Sequence, residues 1–534
     1  MYAAHVLLLS SLLASASAQN YTERYRPQFH WTPAKNWMND PNGLIYHNGQ
    51  YHMYYQYNPT GDVWGNMSWG HAVSQDMIYW EEQPLALSAF NTPAGVLGEF
   101  FFSGSAVYDE FHSSHLGDSP PLVAAYTSYY PNNVTLPNNQ TIRGGTQCQS
   151  IAYSNDDGLS WIEYEGNPVL ALPPSPYEDQ WKDFRDPYLF WYGKGAYWVM
   201  VVSLPQLHKI LIYHSTDLKQ WEHVSEFGPS NAVGGVWECP NLFPLPLKGN
   251  IHDIKWVLMA GINPGGPAFS GASGTQYIVG NFDGTFFKAD PDSDYDPGSG
   301  NANWVDYGPD YYASLTYNGL ANYERVAITW MSDWAYGATI PTSPWRSAMT
   351  VPRELTLEKI EGQTRLISIP HSNLQKLKNG PLLYANHWDS ATGNISLPVS
   401  GKQLEVSISF RAGKNAKRFS LGVRTGGKTS GTLIGYDFTT QRMFVDRSST
   451  TDDSSFSDDY KGIYYGPLQT QDGVVKLRVF LDWSSVELFG GRGESTITAQ
   501  IFPSGSDTGL SLFANGEVID INLKVEALAS IWTR

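Results

Sequence analysis

Ser74-Gln75-Asp76-Met77-Ile78-Tyr79-Trp80 returns in looser form as Ser154-Asn155-Asp156, followed by Trp161, and as Ser215-Thr216-Asp217, followed by Trp221. Short apolar segments precede the copies, for example Ile151-Ala152-Tyr153 and Leu211-Ile212-Tyr213, and Tyr277–Gly284 is a fainter fourth echo. The three Trp lie 81 and 60 residues apart, room for one small sheet and its loops per repeat. A small sheet that cannot bury both faces alone stacks on its neighbours around an axis, so the spacing predicts a β-propeller. The competing reading is chance recurrence of a turn signature in some other β protein.

Working outward, strand signals dominate. Tyr51–Tyr57, Ala196–Ser203, Trp256–Gly261, Leu404–Phe410 and Val474–Leu481 are apolar or alternating runs bounded by turns. One short helix is expected near Ser372–Leu377. After about Leu355 Trp becomes sparse and Asn/Pro-rich loops give way to plain alternating strands. The reading is an all-β chain: a propeller over 19–355, a connector over 356–380 and a β-sandwich over 381–534.

Composition narrows the function. The 534 residues hold 34 Lys and Arg against 51 Asp and Glu, a formal charge of −17, and no Lys/Arg-rich run. That balance argues against a nucleic-acid partner, which needs a basic stripe facing phosphate. Charged residues are only 16% and aromatics 14%, the opposite of a disordered chain. Two Cys cannot make a disulfide scaffold or a Cys-based zinc site. Cys148 and Cys239 are expected as unpaired, largely buried thiols. The 13 His show no H-E-x-x-H pattern, so no metal is expected, and Asn263–Pro267 lacks the Lys-Ser/Thr of a phosphate loop, so no cofactor is expected either.

The first residues carry an address. Val6–Leu13 is a short apolar run followed by Ala16-Ser17-Ala18, read as a signal peptide over 1–18. Neither it nor any later run reaches the ~20 residues of a membrane span. Sequons at Asn20, Asn66, Asn133, Asn139 and Asn394 add to the case for a secreted glycoprotein.

Three carboxylates stand out. Asp40 lies in Trp37-Met38-Asn39-Asp40-Pro41-Asn42-Gly43, Asp186 in Phe184-Arg185-Asp186-Pro187, and Glu238 in Trp237-Glu238-Cys239-Pro240. Each has an aromatic shortly before it and a proline shortly after. Each also falls near the first strand of a repeat unit, and in a propeller that strand lines the central channel. Three blades would then bring three acids to one channel mouth. Singly, each reads as a turn cap, and Arg185–Asp186 as a structural ion pair; the case rests on the set. Converging acids in an aromatic, weakly charged funnel suit glycosidic cleavage. One protonates the leaving oxygen while another attacks or activates water, and crowding drives their pKa values apart.

At these residues the chain resembles glycoside hydrolase family 32, the β-fructofuranosidases. Gln56–Pro59, Trp64-Gly65, Trp69–His71, Phe102–Ser105, Trp345–Ser347 and Asp482–Phe489 extend the likeness over nearly the whole mature chain. Ser175–Glu178 and Asn263–Pro267 point to its secreted fungal exo-inulinases and invertases. The resemblance implies a five-bladed propeller followed by a β-sandwich, and a retaining double displacement on terminal fructose of sucrose, inulin or levan. It implies Asp40 as nucleophile, Glu238 as acid/base, and Asp186 as transition-state stabiliser beside Arg185. Asn39, Gln56, Trp64, Ser103 and Trp334 would shape the fructose pocket. Pro240 stands where some members have Val. Trp64, Tyr129-Tyr130 and Trp334 are candidates for contacting the leaving part. The alternatives are a fructosyltransferase, a non-catalytic carbohydrate-binding protein, and a five-bladed glycosidase acting on arabinose or xylose polymers. The sandwich is expected to be structural.

Overall fold

The Ser-x-Asp motifs recur because one turn recurs. In the first, the Asp76 amide donates to Ser74 Oγ at 3.1 Å, and Asp76 Oδ1 accepts from the amides of Ile78 and Tyr79 at 3.0 Å. Trp80 Nε1 then closes on Met77 O at 3.0 Å. Asp217 accepts in the same way from Lys219 and Gln220, Trp221 closes on Leu218 O, and Asp283 caps Thr285 and Phe286 in the fourth copy. Ser and Asp side chains suit the site because they satisfy amides that a tight turn leaves unpaired. Each turn joins a third strand to a fourth: Ser68–Ser74 to Glu81–Leu87, Thr146–Ser154 to Ile162–Glu163, Lys209–Ser215 to Glu222–Phe227, and Gly274–Phe282 to Phe287–Ala289.

The computed structural model describes residues 21–91, 97–267, 271–321, 323–378, 380–426, 431–450 and 456–532. The expected leader and the Asn20 sequon lie outside them. The first domain is a five-bladed propeller. Its innermost strands are Asn36–His47, Leu97–Tyr108, Arg185–Tyr192, Val236–Leu247 and Tyr312–Thr316. Each packs on the next, and the fifth returns to the first, closing a ring about an axis. Trp345–Arg346 pairs in parallel with Asn36–Trp37 in the first blade while Ala348–Met349 pairs in the fifth, so one short segment ties the ring shut. Cores lie between blades. Tyr54, Trp69, Phe101 and Tyr126 are buried between the first and second, and Phe184, Trp198 and Leu211 between the second and third. Faces that a single sheet would expose are buried in this way.

The fifth blade corrects one boundary. Arg353–Ile360 and Gln363–Pro370 are its outer strands, where the connector was expected to begin at 356. Leu355, Leu357, Leu366 and Ile367 fill the role that Trp plays elsewhere, so the fall in Trp content misled the reading. A 3-10 helix follows at Ser372–Leu377, where a short helix was expected.

The second domain is a β-sandwich. Strand Gly509–Ala527 bends between its two layers. One half pairs with Arg418–Thr425, the other with Leu404–Ala412. Val406, Ile408, Phe410, Phe419, Leu421, Val479 and Val525 alternate inward to form the core.

A buried ionic seam joins the domains. Ser495–Gln500 is an edge strand of the sandwich. Its exposed amides would invite other strands. Here Asp306 accepts from the Thr498 amide and Asp310 from the Gln500 amide, both at 2.8 Å. Arg353 bonds Asp306 and Glu487, and Arg447 bonds Asp310 at 2.7 Å. His30 sits between Asp482 and Glu487, 2.8 Å from each, with all three side chains fully buried. Asp482 and Glu487 are thus the carboxylates of the Asp482–Phe489 motif.

Burial opposes the His30 charge, but the two carboxylates outweigh it and push its pKa up to about 9. A raised histidine contributes its full stability below its unfolded value near 6.5 and loses it as pH rises through 9. The shift corresponds to a contribution on the order of 3 kcal/mol. The expected result is that the stability gap between wild type and His30→Gln, measured by urea unfolding, is largest at pH 6 and shrinks toward pH 10. A gap that is constant across that range contradicts the assignment.

Candidate active site

The pocket end of every innermost strand is irregular. Register shifts fall between Met38 and Pro41, Phe101 and Gly104, Arg185 and Tyr188, Glu238 and Asn241, and Tyr312 and Leu315. A bulge re-aims side chains that strict alternation would send elsewhere. It also tolerates proline, whose missing N–H has no ladder partner to lose. The carboxylate-then-proline pattern is therefore a bulge pattern. Asp186, Cys239 and Ala313 take φ of 68°, 50° and 56°, a region disfavoured for side-chain-bearing residues. Gly104 answers a close approach: a Cβ there would lie 2.0 Å from Ala125 O.

These bulges turn Asp40, Asp186 and Glu238 into one pocket of about 530 Å³. Asn39, Gln56, Trp64, Ser103, Arg185 and Trp334 line the same pocket, so all nine candidate residues are brought together. Next to them Tyr188, Cys239 and Leu315 are buried and, with Gly104 among others, line a void of about 10 Å³.

Asp40 is 8% exposed and anchored on both oxygens. Asn39 Nδ2 donates to Oδ1 at 3.0 Å and Ser103 Oγ to Oδ2 at 2.7 Å, with Cys239 Sγ 3.5 Å from Oδ2. Asn39 is itself held by Trp37 Nε1 at 2.7 Å. Burial pushes the Asp40 carboxyl above its usual range, and the Glu238 charge adds to this, while the Asn39 and Ser103 donors oppose it. Asp186 Oδ2 accepts from the Cys239 amide at 2.9 Å, a donor freed by the bulge. Burial drives Asp186 up to about 7, against the pull of Arg185.

Glu238 is held from both sides. Arg185 Nε and Nη2 reach Oε1 at 3.0 and 2.9 Å, and the Tyr312 hydroxyl donates to Oε2. Arg185 also bonds Asp183 Oδ1 at 3.0 Å and Gln147 Oε1 at 3.1 Å. Its ion pairs are thus with Glu238 and Asp183, not the Arg185–Asp186 pair considered from sequence. Burial works against the Arg185 charge, but Glu238 and then Asp186 outweigh it and hold the guanidinium above its ordinary value.

The rim is aromatic. Phe102 stacks on Tyr129 with centroids 5.0 Å apart, and Trp64 meets Phe102 edge-on at 5.9 Å. Trp64 is 44% exposed. Trp334 packs on Trp37 and Trp330. Tyr130, considered with Tyr129 as a rim contact, instead points into a core with Ile142 and Cys148, because side chains alternate along the strand. Tyr312, Gln147, Lys182 and Asp183 were not singled out from sequence. Asp183 lies two residues before Arg185, a weak signal; Tyr312 and Gln147 sit in ordinary strands and carry none.

Of the sequons, Asn133, Asn139 and Asn394 are exposed, and Asn66 is half-buried with Nδ2 donating to Thr60 Oγ1 at 2.6 Å. No group of three or more His, Cys, Asp or Glu among the described residues is placed to hold a metal ion.

Comparison with known proteins agrees with this architecture. Residues 30–370 match the glycosyl hydrolases family 32 N-terminal domain and residues 373–529 the family's C-terminal domain. The chain belongs to glycosyl hydrolases family 32. It is 49% identical to an extracellular exo-inulinase of Aspergillus ficuum over 98% of each chain. It superimposes on the crystal structure of exo-inulinase from Aspergillus awamori with a TM-score of 0.93 at 48% identity, covering 96% of this chain and all of that one. A β-fructofuranosidase from Schwanniomyces occidentalis, complexed with fructosyl-erythritol, follows at a TM-score of 0.80 and 28% identity, covering 97% and 99%.

Cys148 and Cys239 are unpaired and buried, and burial pushes both thiols well above their usual range. Alkylation with iodoacetamide should leave both unmodified in the native protein and modify both after denaturation without reductant. Mass spectrometry showing a 148–239 bridge, or ready native labelling, contradicts this.

Proposed function

We propose that this chain is a secreted, exo-acting β-fructofuranosidase that releases terminal β-D-fructofuranose from sucrose and fructans with retained configuration. One observation carries the reading: three carboxylates from three blades share a pocket that abuts buried Tyr188, Cys239 and Leu315 and whose mouth is aromatic. Such a pocket admits the end of a sugar chain, one ring deep.

In the proposed cycle Asp40, ionised, attacks the anomeric carbon C2. Glu238, protonated, gives its proton to the glycosidic oxygen, and the leaving sugar departs. Water, deprotonated by Glu238, then releases fructose from Asp40. Positive charge builds on the ring in the transition state, and Asp186 is positioned to stabilise it. Asn39 and Ser103 fix the Asp40 carboxylate for attack. Arg185 and Tyr312 fix Glu238. Trp64, Phe102 and Tyr129 offer apolar faces to the departing sugar. Export to the cell exterior is supported by the leader at 1–18, the exposed sequons and the extracellular relative.

Sucrose should give fructose and glucose in equal amounts, and fructose should be the sole small early product from inulin and levan, at matched concentrations. Early fructan oligosaccharides overturn the exo assignment, and dominant kestose at high sucrose marks transfer in place of hydrolysis. Asp40→Ala and Glu238→Ala should each lower kcat by about three orders of magnitude or more with the fold intact by circular dichroism. Near-normal turnover in either refutes its role. Removing a donor from an ionised carboxylate destabilises the charged form. Ser103→Ala should therefore move the acid limb of the kcat/KM profile to higher pH and lower the plateau roughly tenfold; an unmoved limb contradicts the assignment of that limb to Asp40.

A further inference from the structure

The outward face of one sandwich layer runs against the charge of the whole molecule. Ser407 pairs with Arg478 on one side and Lys524 on the other, and Ser409 with Lys476 and Asn522. Ala385 and His387 continue the two rows beyond Lys524 and Asn522. Cross-strand partners share a face, so these side chains point the same way. Short Ser407, Ser409 and Ala385 leave a floor, and the long side chains of Lys476, Arg478 and Lys524 rise around it. Arg492 stands at the end where the fifth blade's Ile369–Pro370 meets the sandwich, and the whole forms a groove of about 770 Å³.

Four Lys or Arg line this groove and no Asp or Glu does, on a chain of net charge −17. Carboxylates flank the groove, and Glu405 and Glu526 continue the rows of Ser407 and Lys524 on the same face. Arg478 meets Glu405 at 2.8 Å, Lys524 meets Glu526 at 2.9 Å, and Arg492 reaches Glu358 at 3.4 Å. Lys476 is exposed and has no ion pair among the described residues. In these pairs the carboxylates are largely buried while the cations are 32–51% exposed, so the outer sides of the cations face solvent and remain available to a ligand's anions.

We infer that the groove binds an acidic polysaccharide, a polymer whose rings carry carboxylates for the Lys and Arg and hydroxyls for Ser407, Ser409 and Asn522. The volume suits a few sugar rings. A single-stranded nucleic acid fits less well, because its bases need an exposed aromatic face. The lining aromatic, Phe489, is only 4% exposed. The site lies on the sandwich, away from the propeller carboxylates, and does not depend on the reaction assigned to them. Occupancy would hold the enzyme on a carboxylated matrix with its pocket still open.

The test is binding of the full-length protein to polygalacturonate, by isothermal titration at 20 mM salt, with neutral galactan and poly-glutamate as comparators. Polygalacturonate should bind, weaken as salt rises, and exceed both comparators at least tenfold. Lys476→Gln/Lys524→Gln should weaken it at least tenfold with sucrose hydrolysis unchanged, whereas Asp40→Ala should bind as wild type does. Equal binding of poly-glutamate or galactan, no binding of polygalacturonate, or binding indifferent to the double substitution overturns the inference.

Discussion

Everything at the active end hangs on one backbone device, a bulge in each innermost strand. Five strands converge on an axis, and strict two-residue alternation would leave Asp40, Asp186 and Glu238 with no common target. The bulges break the alternation at the same level in all five blades. They cost something: a side-chain-bearing residue at positive φ is disfavoured by roughly 1–2 kcal/mol, and Asp186, Cys239 and Ala313 all adopt it. The packed ring sustains that cost. In return the Cys239 amide, released from the ladder, becomes the donor that holds Asp186.

The second constraint is electrostatic. Burial, and after it the charge of the neighbouring acids, pushes the Asp40 and Asp186 carboxyls above their usual range. The site answers unequally. Asp40 receives neutral donors, Asn39 and Ser103, which stabilise its charge without a counter-ion in the way of the sugar. Glu238 receives a cation and a phenol, Arg185 and Tyr312. Asp186 has the Cys239 amide, and burial pushes its carboxyl up to about 7. Different surroundings thus make three similar groups into candidates for three different roles.

Much of this was legible. The Ser-x-Asp turns and the carboxylate–proline pairs are local backbone chemistry, so they leave residue types at fixed offsets, and the fold and the three acids could be read from them. Tyr312 and Gln147 could not. Their places are set by pairing with distant strands, and a Tyr or Gln in a strand has many structural uses. The fifth blade was cut short for a related reason: its outer strands bury Leu and Ile, which look the same in a propeller as in a sandwich. The Asp482–Phe489 motif has the bland reading of a turn plus strand, yet its carboxylates lock the two domains together through His30 and Arg353. Only the partner residues, hundreds of positions away, reveal that.

The claim most exposed to refutation is that Asp40 itself becomes bonded to the sugar. Glu238→Ala mixed with fructosyl fluoride, whose leaving group needs no proton, should form the intermediate and fail to clear it. Peptide mass spectrometry should then find one fructosyl unit on the peptide that carries Asp40. An adduct on another residue, or turnover that releases fructose of inverted configuration with no adduct at all, would contradict the account.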